Sequence, residues 1–162
     1  MRLFGVTGHS GSGKTTLLIK VIPLLAARGL RVSTIKQAHA GFDADKPGKD
    51  SYRHREAGAR EVLVASNRRW ALMHEYGDQP EFIMEQLLDR MTVVDLVLVE
   101  GFRQWNHPRL EVWRPETGKE PLFPDDPLVV AVASTGPVPG LDRPLLPLDD
   151  AQAVANFILS RD

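Results

Sequence analysis

The segment "VTGHSGSGKTTL", Val6–Leu17, decides the fold that we predict for this chain. Within it, Gly8–Thr15 matches the pattern G-x-x-x-x-G-K-[ST] at every required position. The apolar stretch Arg2–Thr7 before it predicts a buried strand, and Lys14–Arg28 after it predicts a helix that Gly29 ends. A strand, a glycine-rich loop and a helix in this order predict a phosphate-binding loop in an α/β domain.

The residues of this loop have the chemistry that binds a nucleoside triphosphate. Glycines let backbone N–H groups turn towards a phosphate, and the start of the next helix adds the positive end of its dipole. We expect Lys14 to reach the β- and γ-phosphates and the Thr15 hydroxyl to ligate Mg²⁺. The alternative, a chance Gly/Ser-rich turn, is disfavoured by the matching strand and helix. The predicted nucleotide-binding residues are Gly8, His9, Ser10, Gly11, Ser12, Gly13, Lys14, Thr15 and Thr16.

The rest of the chain continues the alternation of strands and helices. A second strand is predicted at Arg31–Lys36, buried strands in the apolar runs "VVDLVLVEGF" and "LVVAVAS", and a further strand at "RLEVWR". This alternation favours a P-loop NTPase-type, three-layer α/β fold with a mostly parallel sheet. An added hairpin is predicted from Glu61–Ser66 and Trp70–His74. No shift in composition divides the chain, so we expect a single domain over residues 1–162.

Helices are predicted at three further places. They are Ser51–Ala59, Pro80–Met91 and Ala151–Ser160, and Pro80 is expected in the first turn of the second. The apolar residues of that second helix predict a core-facing stripe of Phe82, Ile83, Leu87 and Met91.

Composition excludes several classes of function. The 162 residues carry a formal net charge of -1, so the chain has no overall basic field for nucleic acid. No apolar run approaches the ~20 residues that a membrane helix needs, and a strand and loop at the start leave no room for a signal peptide. The chain has no cysteine, which excludes disulfides and thiolate metal sites. We therefore expect a cytoplasmic protein that binds neither nucleic acid nor membrane.

Phosphoryl chemistry needs a carboxylate near the metal ion, and one buried strand offers two. If residues 95–100 are extended, Asp95 and Glu100 lie about 16 Å apart, at about 3.3 Å per residue. Glu100 lies at the carboxyl end of the strand, where a parallel sheet binds ligands, whereas Asp95 lies at the entry. We therefore predict Lys14, Thr15 and Glu100 as the catalytic group, with Thr15 and Glu100 on the metal. A solvated glutamate at a strand end is the alternative.

A second block of charged residues, Lys36–Ala59, follows the second predicted strand. It is interpreted as a cationic pocket or a moving switch for a second anionic ligand or a partner, with Asp45 as a further metal ligand. A solvated loop with self-neutralising charges is an equal alternative from the residues alone. The predicted second-ligand or partner-binding residues are Lys36, His39, Asp43, Lys46, Lys49, Asp50, Arg53 and His54.

The residues do not decide between ATP and GTP. Many GTPases read guanine with an [NT]-K-x-D motif after a late strand, and this sequence has none. The segment Ala133–Gly136, "ASTG", ends a late buried strand and is a candidate for backbone contact with a base.

Three segments together resemble one family. The loop, "FDADKPGKDSYRHREAGA" and "DLVLVEGFR" are similar, in order and spacing, to the molybdopterin-guanine dinucleotide biosynthesis adapter (MobB) family. The middle segment is the most specific of the three, because phosphate-binding loops are shared by a vast superfamily. The sequence departs from the family at His39-Ala40, where paired histidines are frequent, and at Ser134-Thr135, where an acid is common.

The resemblance implies a nucleotide-binding adapter rather than a fast enzyme. It implies binding of GTP and Mg²⁺, at most weak GTPase activity, and a homodimer. The implied partner is the guanylyltransferase MobA, which attaches GMP to molybdopterin, and molybdopterin itself is a possible ligand. The residues leave two alternatives: a small-molecule kinase whose basic block clamps an anionic acceptor, and a GTP-dependent metallochaperone. The absence of cysteine and of a histidine-rich tract disfavours the second.

Two tryptophans, Trp105 and Trp113, lie near the ends of predicted strands. Large aromatic residues often anchor interfaces, so they are candidates for a dimer or MobA-facing surface. Packing within the core is an equal alternative.

Overall fold

A computed structural model of the chain describes residues 1–38 and 42–161, which form two compact units. The core unit comprises Met1–Gln37 and Thr92–Asp162, and the inserted unit comprises Ala38–Met91. The single domain over residues 1–162 stays a prediction.

The elements alternate along the chain as an α/β fold requires. In chain order the strands are β1 (Arg2–Thr7), β2 (Val32–Lys36), β3 (Glu61–Ala65), β4 (Trp70–His74), β5 (Leu96–Glu100), β6 (Arg109–Trp113), β7 (Val129–Ser134) and β8 (Leu145–Pro147). The helices are α1 (Lys14–Ala26), α2 (Asp50–Glu56), α3 (Met84–Leu88) and α4 (Ala151–Leu159).

The core unit is built on a six-stranded sheet in the order β2-β5-β1-β6-β7-β8. Every neighbouring pair in this sheet is parallel. Glu100 lies opposite Val6 on one side and Lys36 on the other, so the carboxyl ends of three strands meet. The predicted P-loop NTPase-type α/β fold is confirmed, and this meeting of strand ends positions the site.

Side chains of the central strands alternate between the two faces of the sheet. Helices α1 and α4 pack against each other, and their apolar residues join Leu110 and Ala131 in the main core. The opposite face carries a second cluster in which Trp113, Phe123 and Val132 are buried. The core unit is therefore layered, with the sheet between a helical layer and a layer of loop residues.

The inserted unit contains the predicted hairpin. Strands β3 and β4 pair antiparallel, with Leu63 opposite Leu72 and Ala65 opposite Trp70. Helix α2 packs on β3. The hairpin prediction is confirmed.

The predicted helix Pro80–Met91 is wrong in its extent. Only α3, Met84–Leu88, is helical, because Ile83 is its N-cap and donates its backbone N–H to Gln86 Oε1. A cap at this position starts the helix four residues later than predicted. The predicted stripe changes with it, since Ile83 is 57 % exposed while Met84 is buried.

Other differences are at element ends or in short elements. Helix α1 ends at Ala26 and α2 at Glu56, both before their predicted ends. The three-residue strand β8 was not predicted, because a segment this short between prolines has no readable periodicity.

Candidate functional site

The loop between β1 and α1 has the backbone of a phosphate cradle. Gly8, Gly11 and Gly13 all have positive φ angles, which favour glycine. A Cβ on Gly8 would lie 2.3 Å from the Val112 carbonyl oxygen, so no larger residue fits there. Within the described residues, the Ser12 hydroxyl is buried in this loop without a hydrogen-bond partner. These features match a loop built to receive phosphate oxygens.

Lys14 begins α1 and reaches back over the loop. Its Nζ donates to the carbonyl oxygens of Gly8 at 2.8 Å and His9 at 2.9 Å. Burial lowers the pKa of Lys14, while the Glu100 carboxylate acts in the opposite direction. The ammonium group is thus held at the mouth of the cradle, close to an acid.

Thr15, Glu100 and Lys36 form a connected group at the carboxyl ends of the strands. Thr15 Oγ1 donates to Glu100 Oε1 at 2.8 Å, and Lys36 Nζ donates to the same carboxylate oxygen at 3.0 Å. Lys36 Nζ also lies 3.1 Å from Thr15 Oγ1. Thr15 and Glu100 are 85 positions apart in the sequence, and the fold brings them together because β1 and β5 are neighbouring strands. A hydroxyl beside a carboxylate is an oxygen donor set that suits Mg²⁺.

The turn after β5 is fixed by Gln37. Gln37 donates its backbone N–H to the Glu100 carbonyl at 2.9 Å and accepts from the Phe102 N–H at 2.8 Å. A Cβ on Gly101 would lie 2.8 Å from Gln37 Cβ, and Phe102 has a positive φ of 50°. The turn is therefore specified by contacts that hold Glu100 towards Thr15.

Asp95 occupies the other end of β5, as predicted for a residue at the strand entry. Its carboxylate accepts from the Arg31 backbone N–H at 2.8 Å and pairs with the Arg31 guanidinium at 2.9 Å. These hydrogen bonds lower the pKa of Asp95 to about 2.

Two residues at β6 and directly after it hold neighbouring segments in place, and neither is among the site residues predicted from the sequence. Arg114 donates from Nε to the Ser12 carbonyl at 2.9 Å. Glu111 is fully buried and accepts from the backbone N–H groups of Leu122 and Phe123 at 2.7 and 2.9 Å. Burial raises the pKa of Glu111, and the two backbone hydrogen bonds oppose this shift. The available signal was position, since Glu111 lies on β6, the neighbour of β1, and Arg114 follows β6 directly.

Comparisons with known proteins agree with this geometry. A family model described as "Molybdopterin guanine dinucleotide synthesis protein B" matches residues 3–135. This chain belongs to the MobB family. A "Molybdopterin-guanine dinucleotide biosynthesis adapter protein" from Haemophilus influenzae is 47% identical over 157 residues, which cover 96% of this chain and 86% of the relative. The protein of the same name from Escherichia coli is 44% identical over 160 residues, covering 97% and 91%.

Solved structures are similar to the MobB-family chain along its whole length. A crystal structure of "molybdopterin-guanine biosynthesis protein B (mobB)" has a TM-score of 0.71 at 30% identity and covers 98% of both chains. The Bacillus subtilis MobB structure has a TM-score of 0.76 at 21% identity, covers 99% of this chain and 97% of its own, and supports the fold alone.

In the inserted unit of the MobB-family chain, three carboxylates surround one arginine, and two of them belong to the second block. Arg55 pairs with Asp43 at 2.7 Å, Asp45 at 3.5 Å and Glu75 at 2.7 Å. The Arg55 hydrogen bond lowers the pKa of Asp43. Asp45 also accepts from Ser51 Oγ at 2.9 Å. These carboxylates therefore have structural partners inside the unit, and Arg55 was not among the predicted site residues.

The other predicted residues of the block divide into three groups. Lys36 belongs to the core unit, where it pairs with Glu100. His39 lies outside the residues that the structure describes. Five side chains are exposed on or just before α2, namely Lys46, Lys49, Asp50, Arg53 and His54.

Within the ranges 1–38 and 42–161, no group of three or more His, Asp or Glu side chains is arranged to hold a metal ion. The oxygens of Thr15 and Glu100 alone suit a metal that takes its remaining ligands from phosphates and water, as Mg²⁺ does. No helix in the described part of the MobB-family chain is long and apolar enough to cross a membrane.

The two candidate interface tryptophans, Trp105 and Trp113, differ in how deeply they are buried. Trp113 is 6 % exposed, and its Nε1 donates to the Lys119 carbonyl at 2.8 Å, so the packing alternative is correct for this residue. Trp105 is half-buried and stacks on Phe102 with ring centroids 3.7 Å apart.

Proposed function

We propose that this MobB-family chain binds GTP with Mg²⁺ at Gly8–Thr15 and acts as an adapter for a MobA-type guanylyltransferase. The guanylyltransferase attaches GMP to molybdopterin, and the adapter assists it. The observation that carries the proposal is the hydrogen bond from Thr15 to Glu100 beside the glycine cradle. The names of the relatives support the same pathway step.

Each residue of the cradle has a specific role in the proposal. Backbone N–H groups of the loop hold the phosphates, and Lys14 neutralises the charge between the β- and γ-phosphates. Thr15 and Glu100 are the residues that would hold Mg²⁺ beside the phosphates. When Mg²⁺ is bound, it would neutralise part of the negative charge of the phosphates. Hydrolysis is weak, so nucleotide binding acts chiefly as a signal to the partner.

The inserted unit supplies the contact with the partner or pterin in this proposal. The exposed cations Lys46, Lys49 and Arg53 suit an anionic ligand such as molybdopterin, whereas Arg55 is already paired with acids. The chain works in the cytoplasm as a homodimer. Support for a dimer comes from the hairpin, where Leu63 and Trp70 expose large apolar surfaces.

One assay tests the adapter function. The purified chain is given GTP or ATP with Mg²⁺, alone and then with a guanylyltransferase and molybdopterin. We expect slow hydrolysis alone, nucleotide-dependent association with the guanylyltransferase, and loss of nucleotide affinity in Lys14→Ala. Fast ATP turnover that depends on a small acceptor and not on the guanylyltransferase would contradict the adapter and favour a kinase.

A second arm tests the role of the basic residues. Arg53→Ala is expected to weaken binding of molybdopterin or the guanylyltransferase while GTP affinity stays at the wild-type value, both measured by calorimetry. Arg68→Ala, an exposed arginine in the hairpin turn, is the matched control. Equal losses in both measurements would place Arg53 in the nucleotide site instead.

A further inference from the structure

The strand order determines on which side of the phosphate loop a nucleoside can lie. The loop follows β1, which has β5 on one side and β6 on the other. The side towards β5 and β2 holds the metal-side group Thr15, Glu100 and Lys36. If the terminal phosphates and Mg²⁺ bind there, the nucleoside extends towards the carboxyl ends of β6 and β7, since ligands of parallel sheets bind at these ends.

Arg114 lies at that position, directly after β6. Its Nε donates to the Ser12 carbonyl, and two of its guanidinium nitrogens, Nε and Nη2, lie 3.5 Å from the point where a Cβ on Gly13 would be. The side chain is half-buried, and its hydrogen bond to Ser12 holds the planar group against the loop. A fixed guanidinium plane is a good surface on which an aromatic base can stack.

Glu116 follows two residues later in a short 3₁₀ turn. Thr117 closes this turn by donating its backbone N–H and its hydroxyl to the Arg114 carbonyl, at 3.1 and 2.8 Å. Glu116 Oε1 lies 3.5 Å from Thr135 Oγ1, which follows β7. The exposed carboxylate of Glu116 is therefore at the junction of the two strand ends where the base would lie.

We propose that Arg114 and Glu116 read the guanine base, with the guanidinium stacked on the ring and the carboxylate accepting from guanine N1–H and the 2-amino group. This inference rests on the proposed binding of GTP at the loop. Adenine offers neither donor at these positions, so a carboxylate there favours guanine over adenine.

This assignment answers the question that the sequence left open. The sequence lacks [NT]-K-x-D, but Arg114-Pro115-Glu116 supplies a cation, a spacer and an acid in the same order after a strand. Arginine replaces lysine as the residue that contacts the loop, and glutamate replaces aspartate as the acceptor. The contact between Arg114 and Ser12 identifies this motif, and that contact cannot be predicted from the sequence.

Equilibrium binding of four nucleotides to the full chain tests the assignment. The nucleotides are GTP, ATP, inosine triphosphate, which lacks the 2-amino group, and xanthosine triphosphate, which has an acceptor in its place. In the wild type we expect GTP to bind most tightly and inosine triphosphate more weakly. Glu116→Gln is expected to lose about 10- to 100-fold of its GTP affinity, the size of discrimination from one bidentate pair.

Glu116→Gln is also expected to gain affinity for one of the four nucleotides, which a structural defect would not produce. A glutamine amide accepts from N1–H and donates to the 2-oxygen of xanthine, so Glu116→Gln is expected to bind xanthosine triphosphate more tightly than the wild type does. Affinity for ATP is expected to stay constant. Asp125→Asn, which neutralises an exposed acid on the same irregular segment, is the matched control and is expected to leave all four affinities unchanged.

The outcomes separate this inference from the proposed function. A Glu116→Gln chain with the wild-type ratio of GTP to ATP affinity, or with equal losses of both, overturns the guanine assignment alone. A wild-type chain that binds none of the four nucleotides overturns the proposed function and this inference together.

Discussion

His107 is a buried histidine that the proposed function does not use. It is 3 % exposed, and within the described ranges neither ring nitrogen has a hydrogen-bond partner. Its ring faces the backbone of β1, where a Cβ on Gly5 would lie 2.5 Å from Nε2. Burial lowers the pKa of His107 to about 4, Arg109 adds to the shift, and Asp126 opposes it. The folded core unit therefore keeps this ring neutral.

This lowered pKa predicts a loss of stability in mild acid. The unfolded chain takes up the proton near the ordinary pKa of 6.5, and the folded chain only near 4. Between these values the unfolded state binds more protons, so the free energy of unfolding falls as the pH drops from about 6.5 towards 4. Urea unfolding at pH 7.5 and pH 5 is expected to show a smaller loss in His107→Leu than in the wild type.

Histidine at an exposed position provides the control for this measurement. His54→Leu changes an exposed side chain on α2 and is expected to keep the wild-type loss between the two pH values. If His107→Leu and His54→Leu lose the same stability on acidification, His107 is not the titrating group.

At the scale of elements, Glu111 connects β6 to the irregular segment 115–127. Its two carboxylate oxygens accept from Leu122 and Phe123, and Phe123 is buried in the second cluster. The same segment contacts the phosphate loop, because the Glu120 carbonyl lies 3.0 Å from His9 Nε2. One buried side chain thus organises a segment that has no strand or long helix.

Removal of this acceptor is expected to destabilise the core unit. Glu111→Ala leaves two backbone N–H groups without partners, at about 1–3 kcal/mol each, so we expect a loss of about 2–6 kcal/mol in the free energy of unfolding. Glu111→Gln keeps one acceptor oxygen and is expected to lose less. Denaturant titration measures both, and an exposed control, Glu120→Ala, is expected to change stability by less than about 0.5 kcal/mol. A Glu111→Ala chain as stable as the control would show that the segment is held by other contacts.

At the scale of the whole molecule, the hairpin exposes an apolar surface that an isolated chain does not need. Leu63 is 60 % exposed and its cross-strand neighbour Leu72 is 42 % exposed. We expect the wild type to have about twice the mass of the 18.0 kDa chain in light scattering. The double variant Leu63→Lys/Leu72→Lys is expected to be monomeric, because it places like charges in the interface.

The control for this prediction is an equally exposed apolar residue outside the hairpin. Val93 is 66 % exposed and lies in the core unit, so Val93→Lys is expected to keep the wild-type mass. If the double variant remains a dimer, the dimer interface does not lie on the hairpin.

The parts of the molecule that the sequence predicted are those set by local patterns. The loop, Glu100 at its strand end and the hairpin follow from motif, position and alternation within a few residues. The pairing of Lys36 with Glu100, the buried Glu111 and the contact of Arg114 with the loop depend on which strands are neighbours, and periodicity does not reveal this. The start of α3 depends on one side-chain cap, which outweighed the helix-forming tendency of Pro80–Ile83.

The three tryptophans give this chain a built-in optical reporter for each unit. Trp70 is the only tryptophan of the inserted unit in the sequence and is 63 % exposed, whereas Trp105 and Trp113 belong to the core unit. Emission from Trp70 should be red-shifted and open to quenching by acrylamide, and emission from the buried Trp113 should be blue-shifted and shielded. A partner that covers the hairpin would then change the red component alone, so binding to the two units can be followed separately without any added label.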